Sequence, residues 1–228
     1  MQKILIVDDD KNIAEVIEFN LKNEGYEIET ANSAEEALAL DLKSFHLIIL
    51  DVMMGGMSGF KMAEHIRKDK NSIPIIFLTA KDTENDMLTG FSVGGDDYLS
   101  KPFSVKELIA RVKAILKRNH VEPQKTPKEN KLVFNKFTID YDLKEVVIDN
   151  VKIMLTKTEF EILALLAQNH LKVFSRSTII DIIWAETPFI TERTVDVHVT
   201  RLRKKLGTYG SVIANRSGFG YRFNIDDL

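Results

Sequence analysis

Residues 4–10 of the 228-residue chain read ILIVDDD: four β-rich apolar residues run straight into three carboxylates. Lys3–Val7 has counterparts at His46–Leu50 (HLIIL) and Ile73–Leu78 (IPIIFL). Apolar runs this continuous are expected of strands covered on both faces, because a strand wet on one side alternates. Tyr26–Ala31 and Asp97–Ser100 read as weaker strands. Between the strands, apolar residues recur at helical spacing: Ile13, Val16, Ile17 and Leu21; Ala34, Ala37 and Leu38; Met62, Ala63 and Ile66; Leu108, Ile109, Val112 and Leu116. Five strands alternating with five helices predict an α/β unit with a parallel sheet and right-handed crossovers. A site in such a sheet belongs at the carboxyl ends of the strands, near the switch in strand order.

The residues that close the strands meet that requirement. Asp8, Asp9 and Asp10 follow the first, Asp51 ends the third, Thr79 the fourth, and Lys101-Pro102 the fifth. An acidic triplet by itself is a solvated loop or a helix cap, and Asp10 has the place of a cap. Asp51, Thr79 and Lys101 taken singly are a cap, a turn residue and a surface charge. Their convergence from four strands on one sheet edge is what carries information. Oxygen ligands without sulfur or imidazole suit Mg²⁺. An aspartate that attacks phosphorus gives an acyl phosphate, whose charge calls for a metal, a lysine and a hydroxyl donor. Crowded carboxylates lacking a cation resist ionisation, so metal binding and a ready nucleophile belong together.

Charge divides the chain. Residues 1–119 hold 15 Lys/Arg against 20 Asp/Glu, net −5, while residues 120–228 hold 16 against 14, net +2. Arg193–Arg222 alone has 7 basic residues and 1 acidic, net +6, which suits a polyanion. There is no cysteine, so disulfides and thiolate metal sites are excluded. No apolar run approaches the ~20 residues of a membrane span, and the acidic start is unlike a signal peptide. A cytoplasmic location without membrane association is expected.

Asn119–Lys131 (NHVEPQKTPKENK) is polar, carries two of the five prolines and reads as a linker between domains at 1–118 and 132–228. Strand-like runs follow around Phe137–Asp140 and Glu145–Val151, then helices at Thr156–Gln168, Ser175–Ile183 and Glu192–Leu206. Two closing strands are expected near Ser211–Ala214 and Tyr221–Ile225. In the third helix Val195, Val199, Leu202 and Leu206 form an apolar stripe, and Trp184 reads as core. Arg193, Val197, Thr200, Arg201 and Lys204 are assigned to the opposite face. That face is of one sign and precedes a basic hairpin, which points to DNA. His198, beside the buried stripe, reads as a packing or phosphate contact, and no histidine has metal-ligand spacing. Gly55-Gly56 and Gly94-Gly95 read as turns, since no GxxxxGK pattern accompanies them.

The strings ILIVDDD, LIILDVMM, IIFLTAKD and GGDDYLSKPF, in this order, resemble the flavodoxin-like receiver domain of two-component signalling. LTKTEFEIL, VFSRSTIIDIIW, ERTVDVHVTRLRKKL and GFGYRF resemble the α+β winged helix-turn-helix effector domain of OmpR/PhoB-family response regulators. The resemblance implies that Asp51 is the phosphoacceptor, with Mg²⁺ held by Asp8, Asp9, Asp51 and the Met53 carbonyl. Thr79 and Lys101 hold the phosphoryl oxygens, Tyr98 is an aromatic switch, and the Lys101–Pro102 bond is cis. It implies phosphorylation by a sensor histidine kinase and homodimerisation through Asp96, Asp97, Glu107 and Arg111, with Met87 replacing a usual basic partner of Glu107. Binding of double-stranded DNA at tandem half-sites and contact with RNA polymerase follow from the same likeness.

In the family the third helix enters the major groove and the hairpin tracks the minor groove. Arg201 is expected to bond guanine, and Val197 and Thr200 to meet a thymine methyl. Arg193, Arg203 and Lys204 are expected to grip phosphates, and Arg216 to favour a narrow minor groove. Gly55 and Ser58 depart from the family's Pro and Asp and are expected to loosen the loop after the acceptor. Ser217 stands where an arginine is frequent. Such a protein is a switch rather than a turnover enzyme. A Mg²⁺-dependent phosphatase with an aspartyl-phosphate intermediate is the rival from another class; it generally needs an acid where Met53 stands.

Overall fold

A computed structural model describes residues 2–80, 93–117, 130–185 and 190–228. The chain divides into two compact units, 1–120 and 121–228. In the first, strands β1 (Lys3–Val7), β2 (Glu27–Ala31), β3 (Leu47–Asp51), β4 (Ile75–Thr79) and β5 (Asp97–Ser100) form one parallel sheet in the order β2-β1-β3-β4-β5. The sequence reading placed β1 and β5 to the residue. The apolar runs His46–Leu50 and Ile73–Leu78 correspond to strands at Leu47–Asp51 and Ile75–Thr79, in which Asp51 stands opposite Leu78 and Thr79 opposite Ser100.

Helices α1 (Lys11–Asn23), α2 (Ala34–Leu38), α3 (Gly59–Lys68) and α4 (Val105–Lys117) cover the sheet. A further helix expected between β4 and β5 lies outside the described residues, as does Met87. The first three helices begin at side-chain caps: Asp10 accepts from the amides of Asn12 and Ile13, Ser33 from Glu36, Ser58 from Lys61. Ile17 and Leu21 of α1 are buried against β1 and β3. Val16, which the spacing put on that face, is 51% exposed, and Ala14 joins Ile17 and Leu21 in the core.

The second unit opens on a four-stranded antiparallel sheet of β6 (Lys131–Phe134), β7 (Phe137–Asp140), β8 (Glu145–Ile148) and β9 (Val151–Ile153). β6 was not anticipated, and its first residue falls inside the expected linker, of which residues 119–129 lie outside the described residues. The run Glu145–Val151 is two strands. Asp149 and Asn150 both have positive φ, 50° and 64°, the backbone of a tight two-residue hairpin turn. Three helices follow, α5 (Lys157–Gln168), α6 (Arg176–Ile183) and α7 (Glu192–Leu206), and the hairpin β10 (Ile213–Arg216) and β11 (Gly220–Phe223) closes the unit. Val195, Val199, Leu202 and Leu206 seat α7 in a core with Phe137, Leu163, Ile179 and Phe223, and Trp184 belongs to that core as expected.

Candidate functional sites: an acidic sheet edge and a basic helix

β1 and β3 are neighbours at the point where the strand order reverses, so Asp8 and Asp51 leave the sheet side by side. Carboxylate oxygens of Asp8, Asp9 and Asp51 come within 4.8 Å of one another. Lys101 Nζ donates to Asp8 Oδ2 at 2.8 Å and to Asp51 Oδ2 at 3.0 Å. The Met53 amide donates to Asp51 Oδ1 at 3.2 Å, and the Asp10 amide to Asp8 Oδ1 at 2.9 Å. Asp8 and Asp51 are buried, whereas Asp9 is exposed. Burial raises the Asp8 pKa and the Asp51 charge adds to it, against the opposing hydrogen bonds of Lys101 and the Asp10 amide. Burial works to lower the Lys101 pKa, and its hydrogen bonds to Asp8 and Asp51 outweigh that and leave it raised. Three clustered oxygen donors without nitrogen or sulfur ligands fit a hard divalent cation.

Thr79 is buried at the carboxyl end of β4, where its carbonyl accepts the Lys101 amide at 2.6 Å. The Lys101–Pro102 peptide is cis. Tyr98 is 5% exposed, turned into the protein 6.5 Å from the Phe77 ring.

The loop after Asp51 makes a hydrogen bond at each of the two departures. Gly55, having an N–H that proline lacks, donates to Asp9 Oδ2 at 3.1 Å. Ser58 caps α3 with its hydroxyl, as an aspartate would. Glu35 of α2, which drew no attention in the sequence, accepts the Met57 amide at 3.1 Å. Gly59 cannot be replaced without movement, because a Cβ there would stand 2.2 Å from the Asp51 carbonyl oxygen.

The residues expected at a dimer surface are engaged within the single chain. Arg111 bonds Asp97 Oδ1 at 2.8 Å and Glu107 Oε1 at 2.7 Å and is 2% exposed. Asp96 is buried, accepting from Arg67 at 3.3 Å and from the Ile75 amide at 3.2 Å.

In the second unit, Arg193, Thr200 and Lys204 are exposed on α7 with Val197 between them. Their spacing of four, three and four residues makes one helical face. Arg201 departs from the sequence reading. Its guanidinium turns inward to an ion pair with Glu159 at 2.9 Å, leaving its side chain 12% exposed. Lys205 meets the same fully buried carboxylate at 2.6 Å. Burial alone would raise the Glu159 pKa; the charges of Arg201 and Lys205 and the Lys205 and Thr156 hydrogen bonds overcome it and leave the pKa lowered. The signal that could have exposed this site is the capping box, Thr156 with Glu159 three residues on, which fixes Glu159 at the start of α5.

Arg203, expected to grip phosphates, is engaged within the second unit. It donates to the Ile213 carbonyl from Nε at 3.0 Å and again from its terminal nitrogen, and it lies over the Tyr221 ring. His198 is buried against Trp184, so of its two expected readings packing is the one observed. Arg216, at the end of β10, is exposed. The turn after α5 lacks glycine, and Asn169 ends the helix by donating from its side chain to the Leu165 carbonyl.

Two family models match the chain: response regulator receiver domain over residues 4–113, and transcriptional regulatory protein, C terminal, over residues 150–223. The chain is 39% identical to the transcriptional regulatory protein ResD of Bacillus subtilis (strain 168), covering 98% of this chain and 96% of that one. It is 42% identical to the regulatory protein VanR of Enterococcus faecium over 90% of this chain and 89% of the relative. Among solved structures, DrrB, an OmpR/PhoB homologue from Thermotoga maritima, is 33% identical with TM-score 0.52, covering 98% and 99% of the two chains. A mutant of RitR is 26% identical with TM-score 0.75 at the same coverage.

Proposed function

The chain belongs to the response regulators that join a receiver domain to a transcriptional regulatory C-terminal domain, and from that membership we propose that a phosphoryl group on Asp51 governs DNA binding by the second unit. The observation that carries the assignment is the position of Lys101 Nζ, 2.8 Å from Asp8 and 3.0 Å from Asp51 at the edge where Asp9 joins them. An Asp51 oxygen attacks the phosphorus of a phosphohistidine on a sensor histidine kinase. The P–N bond breaks, the imidazole leaves, and an acyl phosphate remains on Asp51. Lys101 turns from its ion pairs to a phosphoryl oxygen, and Thr79 supplies a hydroxyl donor to another. Mg²⁺ would be held by Asp8, Asp9, Asp51 and the Met53 carbonyl, where it offsets the negative charge of the phosphoryl oxygens. The chain assists its own modification without turning over a substrate.

Helix α7 then reads the major groove through Val197 and Thr200, whose methyl groups suit thymine. Arg193 and Lys204 on the same face grip phosphates, and Arg216 enters a narrow minor groove. Arg201 and Arg203 serve this interface by fixing α7 to Glu159 and to the hairpin. Activation pairs two chains on tandem half-sites in the cytoplasm, within reach of RNA polymerase. No helix among the described residues is long and apolar enough to cross a membrane.

The test is covalent labelling by a small acyl phosphate with Mg²⁺. One phosphoryl group is expected on the wild type and none on Asp51→Asn or after chelation. Undiminished labelling of Asp51→Asn would place the acceptor elsewhere.

A further inference from the structure

We infer that Phe219, at the tip of the β10–β11 hairpin, is an apolar wedge that enters the DNA minor groove and unstacks one base step. The inference rests on the DNA-binding reading of the second unit and deepens it.

Arg216 pairs with Gly220 across the hairpin, so the tip consists of Ser217, Gly218 and Phe219. Gly218 takes φ +76°, and the Phe219 amide returns to the Arg216 carbonyl at 2.8 Å, so the turn is closed by its own backbone. The Phe219 side chain is left 75% exposed at its apex. A phenyl ring exposed singly is common and needs no explanation. Here the surroundings call for one.

The hairpin is held along its length from several sides. Tyr221 and Phe174 exchange both backbone hydrogen bonds, at 2.8 and 2.9 Å, and Gly220 fits so closely that a Cβ would lie 2.0 Å from the Phe174 carbonyl oxygen. Arg203 of α7 donates to the Ile213 carbonyl, and the Tyr221 hydroxyl donates to Asp196 of α7 at 2.7 Å. The tip is thus carried at a set position relative to the helix proposed to read the major groove.

Arg216 is exposed on the adjoining strand, and the carboxylate of Asp196, which faces the hairpin, is bonded by Arg176 and the Tyr221 hydroxyl. Leu171 and Val173 are also exposed, at 90% and 44%, on the segment before Phe174, whose bridge is to Tyr221 and not to the tip residues 217–219. A turn closed by its own backbone, with an arginine beside it and one apolar ring at its apex, fits a polyanion whose base faces are apolar where a step is opened. Apolar wedges of this kind enter minor grooves beside Arg or Lys and kink the duplex by about 20–90°, at the least cost where a flexible pyrimidine–purine step lies beneath.

The test uses the full-length protein and a duplex that it selects from a random pool. 2-Aminopurine replaces adenine at successive positions along the flanks of the major-groove contact. With wild type, fluorescence should rise severalfold at one step. Phe219→Leu should retain most of that rise, and Phe219→Ala should lose it and bind about tenfold more weakly. Trp184 emission, unchanged in both variants, reports that the unit is folded. Binding by wild type without a rise at any position, or an undiminished rise with Phe219→Ala, overturns the wedge and leaves the DNA reading intact. Failure of wild type to select any duplex, with or without an acyl-phosphate donor, overturns both.

Discussion

His198 is fully buried beside the Trp184 ring, and its pKa is pushed from the ordinary 6.5 down to about 3. Burial is the main cause, and the charges of Arg201 and Lys205 add to it against that of Glu159. The folded state therefore keeps the imidazole neutral, while the unfolded chain takes up a proton below its ordinary pKa. Stability from this group is complete above pH 6.5 and is lost as pH falls toward 3, at roughly 1.4 kcal/mol per pH unit. Trp184 is the single tryptophan and reports unfolding of the second unit alone. Urea titrations followed by its fluorescence between pH 6.5 and about 5.5, where ordinary carboxylates stay ionised, should show stability falling in wild type and a nearly level profile in His198→Leu. An equal slope in both would assign the acid sensitivity to another group.

A second residue-scale prediction concerns the departures beside the acceptor. Ser58→Ala should cost the first unit about 1 kcal/mol, the worth of an N-cap, and Ser58→Asp close to nothing. Equal stability of all three proteins would mean that the Ser58 hydroxyl does not cap α3 in solution. The sequence comparison marked Gly55 and Ser58 as departures. It could not reveal that Gly55 supplies an amide to Asp9, because a backbone hydrogen bond depends on where the loop lies and not on residue type.

At the scale of elements, what was legible is what repeats. The β1 run and the apolar stripe of α7 announce themselves by period, and both were read to the residue. β6 was missed because KLVF follows a polar segment and buries only part of its length; its burial alternates between exposed and intermediate. The outer face of α7 was read too broadly. Thr194, His198, Arg201 and Lys205 form their own stripe beside Arg193, Val197, Thr200 and Lys204, and the first stripe is buried or half-buried. A partner 42 residues away, Glu159, decides that Arg201 belongs to it.

The two stripes should behave differently. Lys204→Ala should weaken binding to all duplexes alike and reduce the salt slope by about one. Arg201→Ala should instead lower the stability of the second unit by about 2–3 kcal/mol, since it strips one of two cations from a buried carboxylate, and leave the selected DNA motif unchanged. A motif altered by Arg201→Ala in the folded protein would return that residue to base reading.

For the whole molecule, two chemistries are joined: an acidic unit that concentrates cations and a basic segment that attracts a polyanion. The parallel sheet and the residues of the acidic site were legible, because four of the five strands lead into a residue whose chemistry is wanted at a shared edge. The dimer surface was less so. Asp97 and Arg111 look like surface charges in the sequence and are nearly fully buried, bonded to each other. Arg111→Ala should therefore destabilise the first unit by about 3 kcal/mol even as a monomer. A loss below about 1 kcal/mol, as for an exposed pair, would show that the bond is open in solution and available to a second chain.

The central claim is that phosphorylation of Asp51 governs DNA binding. It is tested most directly by titrating a selected duplex with wild type and with Asp51→Asn, each with and without acyl phosphate and Mg²⁺. The donor should tighten wild-type binding about tenfold or more, within the ordinary range of coupling between two sites, and leave Asp51→Asn unchanged. Equal tightening of both proteins, or none in a wild type shown to be phosphorylated, would contradict the account.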